Sequence, residues 1–287
     1  MTDAAGLTGF LQTIGEFASG KHAPSVAPVW ERHLLSARVP LRVTQAHREY
    51  EEQAAVDMES AAGDGDNLVG RSFFFARAEI SAIRRLLQPD LSNNSTDLET
   101  LTSFLWRYRT VALRPDPNKE MRIMFIVNAR SKLKLPTGYY GNAFAFPVAI
   151  ATARDLTERS LEFAMALVKE AKSSVTEEYM RSLADLMVTK GRPSFLMDGA
   201  CLISDARIFA DIDFGIWGKP VYGGVGTAGI AEFPVASFCV PFENRKGETG
   251  FIVPVCLPEK AMQRFVDVLD EVFNGDSVSS GRSKKNP

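Results

Sequence analysis

Hydrophobic residues near the start of the chain recur every three or four positions. The repeat consists of Leu7, Phe10, Leu11, Ile14 and Phe17. This spacing predicts an amphipathic helix with one apolar face. Asp3 precedes the repeat where an N-cap residue would lie. Its carboxylate is therefore predicted to accept a backbone N–H of the first helical turn.

The same periodicity predicts five more helices, and short apolar runs between them predict strands. The predicted helices cover residues 79–87, 98–113, 156–172 and 177–188, and a last helix starts at Pro258. The predicted strands cover residues 72–77, 122–127, 143–151, 201–207, 231–242 and 250–257. Polar residues 244–248 predict a hairpin connection. Because helices and strands are mixed without strict alternation, the predicted fold class is α/β with a mixed sheet.

Several stretches lie between these elements. Residues 21–42 are rich in proline and predict a long connection, a crossover between domains that Trp30 and Leu34 would anchor. Residues 61–67 predict a surface turn, and residues 96–99 have the form of a capping box. Residues 274–287 contain almost nothing to bury and predict a disordered tail.

Composition and charge narrow the classes of function. The chain has 287 residues, 45% of them hydrophobic, and a net charge of −2. Charges are mixed along the sequence, so no nucleic-acid partner is expected. No apolar run has the length of a membrane span, and no signal-peptide pattern is visible. A cytoplasmic protein without a membrane partner is expected.

Cysteines and histidines do not have the spacing of metal ligands. They are Cys201, Cys239, Cys256, His22, His33 and His47. The cysteines are expected to be reduced thiols. The histidines are expected to be solvated or partly packed loop residues. The sequence therefore predicts neither a metal site nor a bound cofactor.

Residues 224–229 match the G-x-G-x-x-G pattern of dinucleotide-binding sites letter for letter. That function requires a strand before the glycines and a helix N-terminus after them. The sequence continues instead into a strand-like run that contains Pro234. Nucleotide binding is therefore not expected.

Five stretches resemble the BAHD acyltransferases. Asp213–Pro220 reads DFGIWGKP and is similar to the family signature DFGWG followed by Lys-Pro. Thr2–Gly6 resembles the end of the catalytic signature H-x-x-x-D-A-x-G. Val127–Arg130 resembles the V-N-x-R strand end, and Tyr139–Asn142 resembles the Y-[FY]-G-N stretch. Gly20–Trp30 resembles the plant alcohol O-acyltransferases and benzyl alcohol O-benzoyltransferases of that family.

The resemblance implies transfer of an acyl group, such as acetyl or benzoyl, from acyl-CoA as co-substrate to a small alcohol. In the family a histidine is the general base, and Asp3 matches the aspartate that orients the fold around it. That histidine would lie four residues before Asp3, ahead of Met1. The chain thus resembles an N-terminally truncated member, its C-terminal three-fifths.

A positioned general base is worth about 10²–10⁴ in rate. The chain as printed is therefore expected to be a weak or inactive catalyst. A different reading stays open, in which the chain is a non-catalytic pseudoenzyme or a binding fragment. A full-length member is expected to be a monomer.

The resemblance also implies structural roles for the DFGWG-like stretch and its partner. The residues concerned are Asp213, Arg130, Trp217 and Gly218. Asp213 and Arg130 are expected to form an ion pair away from the chemistry. Ile216 is an extra residue relative to the signature, and a bulge at Gly215 would absorb it.

Residues on the CoA side are harder to assign. The resemblance places Ser131, Tyr140, Gly141 and Asn142 near it. A simple turn after a strand would explain these four residues nearly as well.

The family's fold implies two α/β domains with chloramphenicol-acetyltransferase-like mixed sheets and flanking helices, the second complete and the first mostly missing. The expected parts are 1–29 (remnant of the first domain), 30–52 (crossover), 53–212 (second domain), 213–244 (a segment returning to the first), 245–273 (end of the second) and 274–287 (tail). Residues 213–244 are accordingly expected to lack most sheet partners and to expose strand edges.

Overall fold

A six-stranded sheet and the helices packed against it form the body of the molecule. The computed structural model describes residues 2–50, 67–209, 212–220 and 235–279. Within these ranges the strands are β1 (Leu68–Ala76), β2 (Glu120–Phe125), β3 (Val127–Asn128), β4 (Phe144–Ala145), β5 (Val148–Thr152), β6 (Ala200–Asp205), β7 (Ala236–Glu243) and β8 (Thr249–Pro258). The helices are α1 (Ala4–Ala18), α2 (Arg77–Arg85), α3 (Pro89–Asn93), α4 (Asp97–Leu113), α5 (Ala153–Glu158), α6 (Leu161–Ser174), α7 (Glu177–Thr189) and α8 (Glu259–Ser279).

The sheet is mixed, with the strand order β1-β8-β7-β6-β2-β5. Strands β7 and β6 are parallel, as are β6 and β2, and the remaining neighbours are antiparallel. Strands β3 and β4 form a separate short ladder. The predicted fold class, α/β with a mixed sheet, is confirmed. The predicted hairpin joins β7 and β8, where the Asn244 N–H donates to the Glu248 carbonyl at 3.0 Å.

Most predicted elements form within a few residues of their expected bounds. At α4 the capping box is confirmed, because Thr96 and Glu99 exchange side-chain to N–H hydrogen bonds of 3.2 and 2.9 Å. The predicted helix 156–172 is instead two helices, α5 and α6. The predicted strand 143–151 divides into β4 and β5 around Pro147, which has no N–H to donate to a ladder.

Strand β7 lies inside the sheet, between β6 and β8. The expectation that residues 213–244 lack most sheet partners is therefore wrong for 236–243, because 236–239 pair with β6 and 240–243 pair with β8. Burial explains this placement, since Cys239 and Val240 are at most 1% exposed. Residues 213–216, by contrast, lie against α1. The glycine motif at 224–229 and nearly all of the turn predicted at 61–67 fall outside the described residues.

Helix α8 continues to Ser279, so the expected disordered tail does not begin at residue 274. A helix that is already formed can be extended by backbone hydrogen bonds without further apolar burial. The scarcity of apolar residues after residue 273 therefore does not show where helix α8 ends. Residues 280–287 fall outside the described residues.

Helix α4 is the centre of the hydrophobic core. It packs against α2, α5, α6 and α8. Its Leu101, Phe104 and Trp106 side chains are almost wholly buried, as are Ile123 of β2 and Val253 of β8. Because β2 is pinned by this core, the chain that leaves its carboxyl end has a fixed starting point.

Residues 19–50, which follow α1 and are called the linker below, are attached to one face of α7 through Asp185. The Asp185 carboxylate accepts the N–H of Arg38 at 2.7 Å, its Nε–H at 2.7 Å and the N–H of Arg42 at 3.0 Å. The Asp185 side chain is fully buried. Burial opposes its ionisation, but the hydrogen bonds from Arg38 and Arg42 outweigh this and hold the pKa of Asp185 below its ordinary value of 3.8.

Ser182 attaches the same segment one turn earlier on α7. Its Oγ accepts the N–H groups of Thr44 and Gln45, both at 3.0 Å, and lies 2.9 Å from Nε2 of His47. The other ring nitrogen of His47 lies 3.3 Å from the Glu49 carboxylate. His47 is only 7% exposed, so the expectation of a solvated or partly packed loop residue is wrong for it.

Ser182, His47 and Glu49 have the residue types of a hydrolase triad. A nucleophilic serine must present its oxygen to a substrate. Here the Ser182 oxygen already accepts two backbone N–H groups, and Ser182 is wholly buried. The arrangement therefore holds the chain in place and has no access to a substrate.

Asp185→Asn is expected to lower the thermal midpoint at pH 7 by about 3–12 °C. Hydrogen bonds to a charged acceptor contribute about 1.5–3 kcal/mol, and each kcal/mol shifts the midpoint of a chain of this size by about 2–4 °C. Since the folded-state pKa of Asp185 is lowered, its stabilising contribution is present above about pH 4, the range in which an unfolded Asp titrates. That contribution is lost as the pH falls through the folded-state pKa. Circular dichroism melts of both proteins between pH 7 and pH 3 check this.

The matched control for this test is Asp267→Asn. Asp267 is exposed, and its carboxylate accepts a hydrogen bond from Gln263 of the same helix. An equal loss of stability in that variant, or a difference for Asp185→Asn that does not shrink below about pH 4, would contradict the role given to Asp185.

Helix α1 begins in close contact with the loop that joins β3 to β4. A Cβ atom at Gly6 would lie 2.2 Å from the carbonyl oxygen of Tyr140. The hydroxyl of Thr2 donates to that same carbonyl. The helix can approach this closely only because residue 6 has no side chain.

Two substitutions in α1 test this contact. Gly9→Ala is expected to stabilise the protein by up to about 1 kcal/mol, because Ala favours a helix over Gly and the new Cβ would have no atom within 4 Å beyond its own helix backbone and chain neighbours. Gly6→Ala has the same helix preference but is expected to destabilise, because the methyl group meets the Tyr140 carbonyl. Urea unfolding midpoints of both variants decide the matter. Equal stabilisation by both would show that the close contact does not exist.

Candidate active site

Asp3 and Arg130 form a two-pronged ion pair where α1 meets the body of the molecule. Nη1 of Arg130 lies 2.7 Å from Oδ2 of Asp3, and Nη2 lies 2.8 Å from Oδ1. The Asp3 side chain is 7% exposed and that of Arg130 is 19% exposed. A bidentate pair of this kind fixes both the separation and the common plane of the two groups. We call it the Asp3–Arg130 clamp.

Two backbone N–H groups complete the shell around the Asp3 carboxylate. Ala143 donates to Oδ2 at 3.0 Å and Gly6 donates to Oδ1 at 3.1 Å. The Gly6 contact confirms the predicted N-cap role of Asp3. Burial raises the pKa of Asp3, but the hydrogen bonds from Arg130, Ala143 and Gly6 outweigh that effect and hold its pKa below the ordinary value of 3.8.

Arg130 also donates to the chain segment that follows it. Its Nη2 lies 2.8 Å from the Gly141 carbonyl oxygen, and its Nε lies 3.3 Å from the Tyr139 carbonyl oxygen. The guanidinium group is thus held between the start of α1 on one side and residues 139–141 on the other. It joins two parts of the chain that are distant in sequence.

The expected ion pair between Asp213 and Arg130 is wrong. The Asp213 carboxylate accepts the Gly215 N–H at 2.9 Å, and Asp213 is exposed. Its carbonyl lies beside Gly15 of α1, about 13 Å along the helix axis from Gly6 at a rise of 1.5 Å per residue. The clamp and Asp213 therefore sit at opposite ends of α1, and the guanidinium of Arg130 is already engaged.

The DFGIWG stretch forms a short 3₁₀ turn, Gly215–Trp217, in place of the expected bulge. Gly215 has a φ of 63°, which favours glycine. The N–H of Ile216 donates at 3.2 Å to the hydroxyl of Ser19, the C-cap residue of α1, so the extra residue is accommodated inside the turn. Trp217 is 64% exposed. Gly218 closes the turn, its N–H donating to the Gly215 carbonyl at 2.9 Å.

A cavity of about 1060 Å³ lies beside the clamp, between α1, residues 24–28 and residues 130–140. Phe10, Phe17 and Val26 give it apolar walls. Glu16 connects two walls of the cavity, α1 and residues 24–28. Its carboxylate accepts hydrogen bonds from the Ser25 N–H at 2.7 Å and from Lys21 Nζ at 3.0 Å. Hydrogen bonds from Ser25 and Lys21 lower the pKa of Glu16 to about 2.

The four residues expected on the CoA side are not all brought together. Ser131 and Tyr140 line this cavity. Gly141 is buried, and its carbonyl is engaged by Arg130. Asn142 instead lines a separate hollow of about 140 Å³ between the linker and α7.

Sequence reasoning missed Thr2, Gly6 and Ala143 as parts of the clamp's surroundings. Gly6 carried a signal, because it occupies the glycine position of the D-A-x-G motif. Ala143 carried none, since it contributes only a backbone N–H, which every residue except proline has.

Two further observations concern the described ranges alone. No group of three or more His, Cys, Asp or Glu residues there could hold a metal ion. Among the helices of the same ranges, none is both long enough and apolar enough to cross a membrane.

Comparisons with known proteins agree with this picture. The model of the Transferase family matches residues 1–272. The chain is 58% identical to the (Z)-3-hexen-1-ol acetyltransferase of Arabidopsis thaliana, over 98% of this chain and 62% of that protein. It is 52% identical to the benzyl alcohol O-benzoyltransferase of Petunia hybrida, over 96% of this chain and 60% of that protein. The chain therefore spans about three-fifths of the length of the curated relatives it matches.

Solved structures show the same fold at low sequence identity. Vinorine synthase superposes with a TM-score of 0.61 at 19% identity, over 92% of this chain and 58% of that one. TRI101 of F. graminearum, solved with coenzyme A and deoxynivalenol, superposes with a TM-score of 0.65 at 16% identity, over 96% of this chain and 64% of that one. The predicted chloramphenicol-acetyltransferase-like fold class is confirmed. Since the family model matches nearly the whole sequence, the chain belongs to the Transferase family, that of the BAHD acyltransferases.

Proposed function

We propose that the chain is part of an acyl-CoA-dependent O-acyltransferase. In the proposed reaction the hydroxyl oxygen of a small alcohol attacks the thioester carbonyl of acyl-CoA. An ester C–O bond forms, the C–S bond breaks, and the hydroxyl proton passes through a general base to the CoA thiolate. The substrates named for the Arabidopsis and Petunia relatives support acetyl- or benzoyl-CoA as donor and (Z)-3-hexen-1-ol or benzyl alcohol as acceptor. We place the reaction in the cytoplasm.

The Asp3–Arg130 clamp is the observation that carries this proposal. It fixes the first turn of α1 and therefore the backbone that would enter it. A histidine four residues before Asp3 would lie on that backbone, so the clamp would set the position of its imidazole. Positioning of this kind can govern a rate as strongly as the reacting groups themselves. Asp3 is accordingly an orienting residue, without contact to substrate.

The electrostatics of the clamp suit this orienting role. The lowered pKa of Asp3 keeps it ionised at neutral pH, paired with Arg130. An ionised and fully hydrogen-bonded carboxylate has no proton to give and little tendency to take one. Proton transfer is therefore left to the general base.

We propose that the part of the relatives' length that this chain does not span supplies that base and a second wall of the site. In this proposal residues 2–29 and 213–220 belong with that part, residues 30–52 cross over, and the mixed sheet with its helices forms the second domain. The contacts of α1 with residues 213–216 support the grouping. Ser131 and Tyr140 stay as candidates for the CoA side, since both line the cavity beside the clamp.

Asp3→Asn tests the orienting role in the acyltransferase of which this chain is proposed to be part. We expect kcat for ester formation from acetyl-CoA and (Z)-3-hexen-1-ol to fall by about 100-fold, the effect of a roughly 1 Å misplacement of a catalytic group. KM should change little, because Asp3 touches neither substrate. Gas chromatography of the ester at varied substrate concentrations measures both constants.

Asp205→Asn is the matched control, since Asp205 forms an ion pair with Arg207 that is not part of the clamp. It is expected to keep the kcat of the wild type. A rise in KM without loss of kcat in Asp3→Asn would contradict the orienting role. Saturable binding of CoA without any CoA-dependent ester in the wild type would favour the binding-fragment alternative over acyl transfer.

A further inference from the structure

Trp30 covers the chain segment that carries the carbonyl groups of the clamp. Its ring stacks on that of Tyr140, with centroids 4.6 Å apart and planes inclined by 21°. The guanidinium of Arg32 lies 4.8 Å from the centroid of Trp30. Trp30 itself is 42% exposed. It therefore holds its neighbour from the surface and is not part of the hydrophobic core.

The backbone beside this stack is paired as a short parallel bridge. Val29 donates its N–H to the Gly138 carbonyl at 2.9 Å and accepts the Tyr140 N–H at 3.4 Å. The two strands approach so closely that a Cβ atom at Gly138 would lie 2.1 Å from the Ala27 carbonyl oxygen. Residues 27–30 thus hold residues 138–140 through backbone hydrogen bonds on either side of Tyr139.

The carbonyl groups of residues 139–141 are engaged by two different parts of the chain. The carbonyls of Tyr139 and Gly141 accept from Arg130, while that of Tyr140 accepts from Thr2 at the start of α1. A rotation of these peptide planes would remove contacts from both sides of the clamp. The position of Arg130 therefore depends on the orientation of the peptide planes at residues 139–141, because its contacts there are with carbonyl groups.

We propose that Trp30 is a positioning residue for the Asp3–Arg130 clamp, acting through its stack on Tyr140 and the carbonyl groups on either side of it. Trp30, in the linker that follows α1, thus holds the loop between β3 and β4, which contacts the start of α1. This inference rests on the proposed function, because the clamp bears on catalysis only if Asp3 orients a general base.

Amide hydrogen exchange in the chain as it exists tests the proposal without any assay of ester formation. The Gly6 and Ala143 N–H groups donate to Asp3 and report on the clamp. In Trp30→Ala we expect both to exchange about three to ten times faster, the range that loss of one aromatic stack gives a local opening. The Nε–H resonance of Arg130 is expected to shift in the same variant.

Three comparisons separate a positioning role from general destabilisation. Trp30→Phe keeps a ring on Tyr140 and is expected to restore the exchange rates of the wild type. Trp217→Ala removes an equally large, exposed ring elsewhere and is expected to leave Gly6 and Ala143 unchanged. Val253, in the fully buried part of β8, should exchange at the same rate in all variants.

Unchanged rates at Gly6 and Ala143 in Trp30→Ala would overturn the proposal, because the Val29 bridge would then suffice by itself. Equal acceleration at Val253 would overturn it as well, since the whole fold would then have been weakened. A failure to form ester in the test of the proposed function leaves these exchange rates untouched, so the two failures can be told apart.

Discussion

The ion pair between Asp3 and Arg130 joins residues that lie 127 positions apart in the sequence. A largely buried pair of charges is tolerated only when the groups around it satisfy the remaining donors and acceptors. Here two N–H groups face the carboxylate and two carbonyl groups face the guanidinium. These backbone groups come from the first turn of α1 and from the loop between β3 and β4. The pair is stable only when the first turn of α1 and this loop are both formed and correctly placed relative to each other.

Close backbone contacts give α1 a second function, that of a spacer between two signature stretches. Gly6 lets one end of the helix meet the carbonyl of Tyr140, and Gly15 lets the other end meet residues 213 and 214. A helix of fixed rise per residue therefore sets the distance between the clamp and the DFGIWG turn. This explains physically why a glycine follows the aspartate of the D-A-x-G motif at its particular spacing.

The sequence was most informative where a local rule decides the structure. The periodicity that predicts α1, the capping box of α4 and the hairpin before β8 all involve residues close together in the chain. The sequence identifies Asp3 and Arg130 as members of the site, but it does not predict that they pair with each other. Asp3 and Arg130 both stood out by motif, but two aspartates in two signatures competed for one arginine. Only the length of α1, which holds Asp213 at its far end, decides between them.

Two further differences have one origin. The family resemblance groups residues 213–244, and with them β7, with the first domain, whereas the hydrogen bonds of β7 come from β6 and β8. Likewise the attachment of the linker to α7 depends on backbone donors, and the sequence gives no sign of where a backbone donor will point. A residue that contributes only its backbone N–H or carbonyl to a contact can be of almost any type. Its position in the sequence therefore does not reveal the contact.

That attachment has a consequence for how the linker can change. Ser182 and Asp185 hold residues 38, 42, 44 and 45 by their N–H groups. Any amino acid other than proline offers such a group, so the side chains at positions 42, 44 and 45 can be exchanged while the path of the linker is kept. A single replacement on α7 releases two of these positions at once. The linker path therefore depends on the side chains of Ser182 and Asp185 in α7. Different linker sequences can follow the same path.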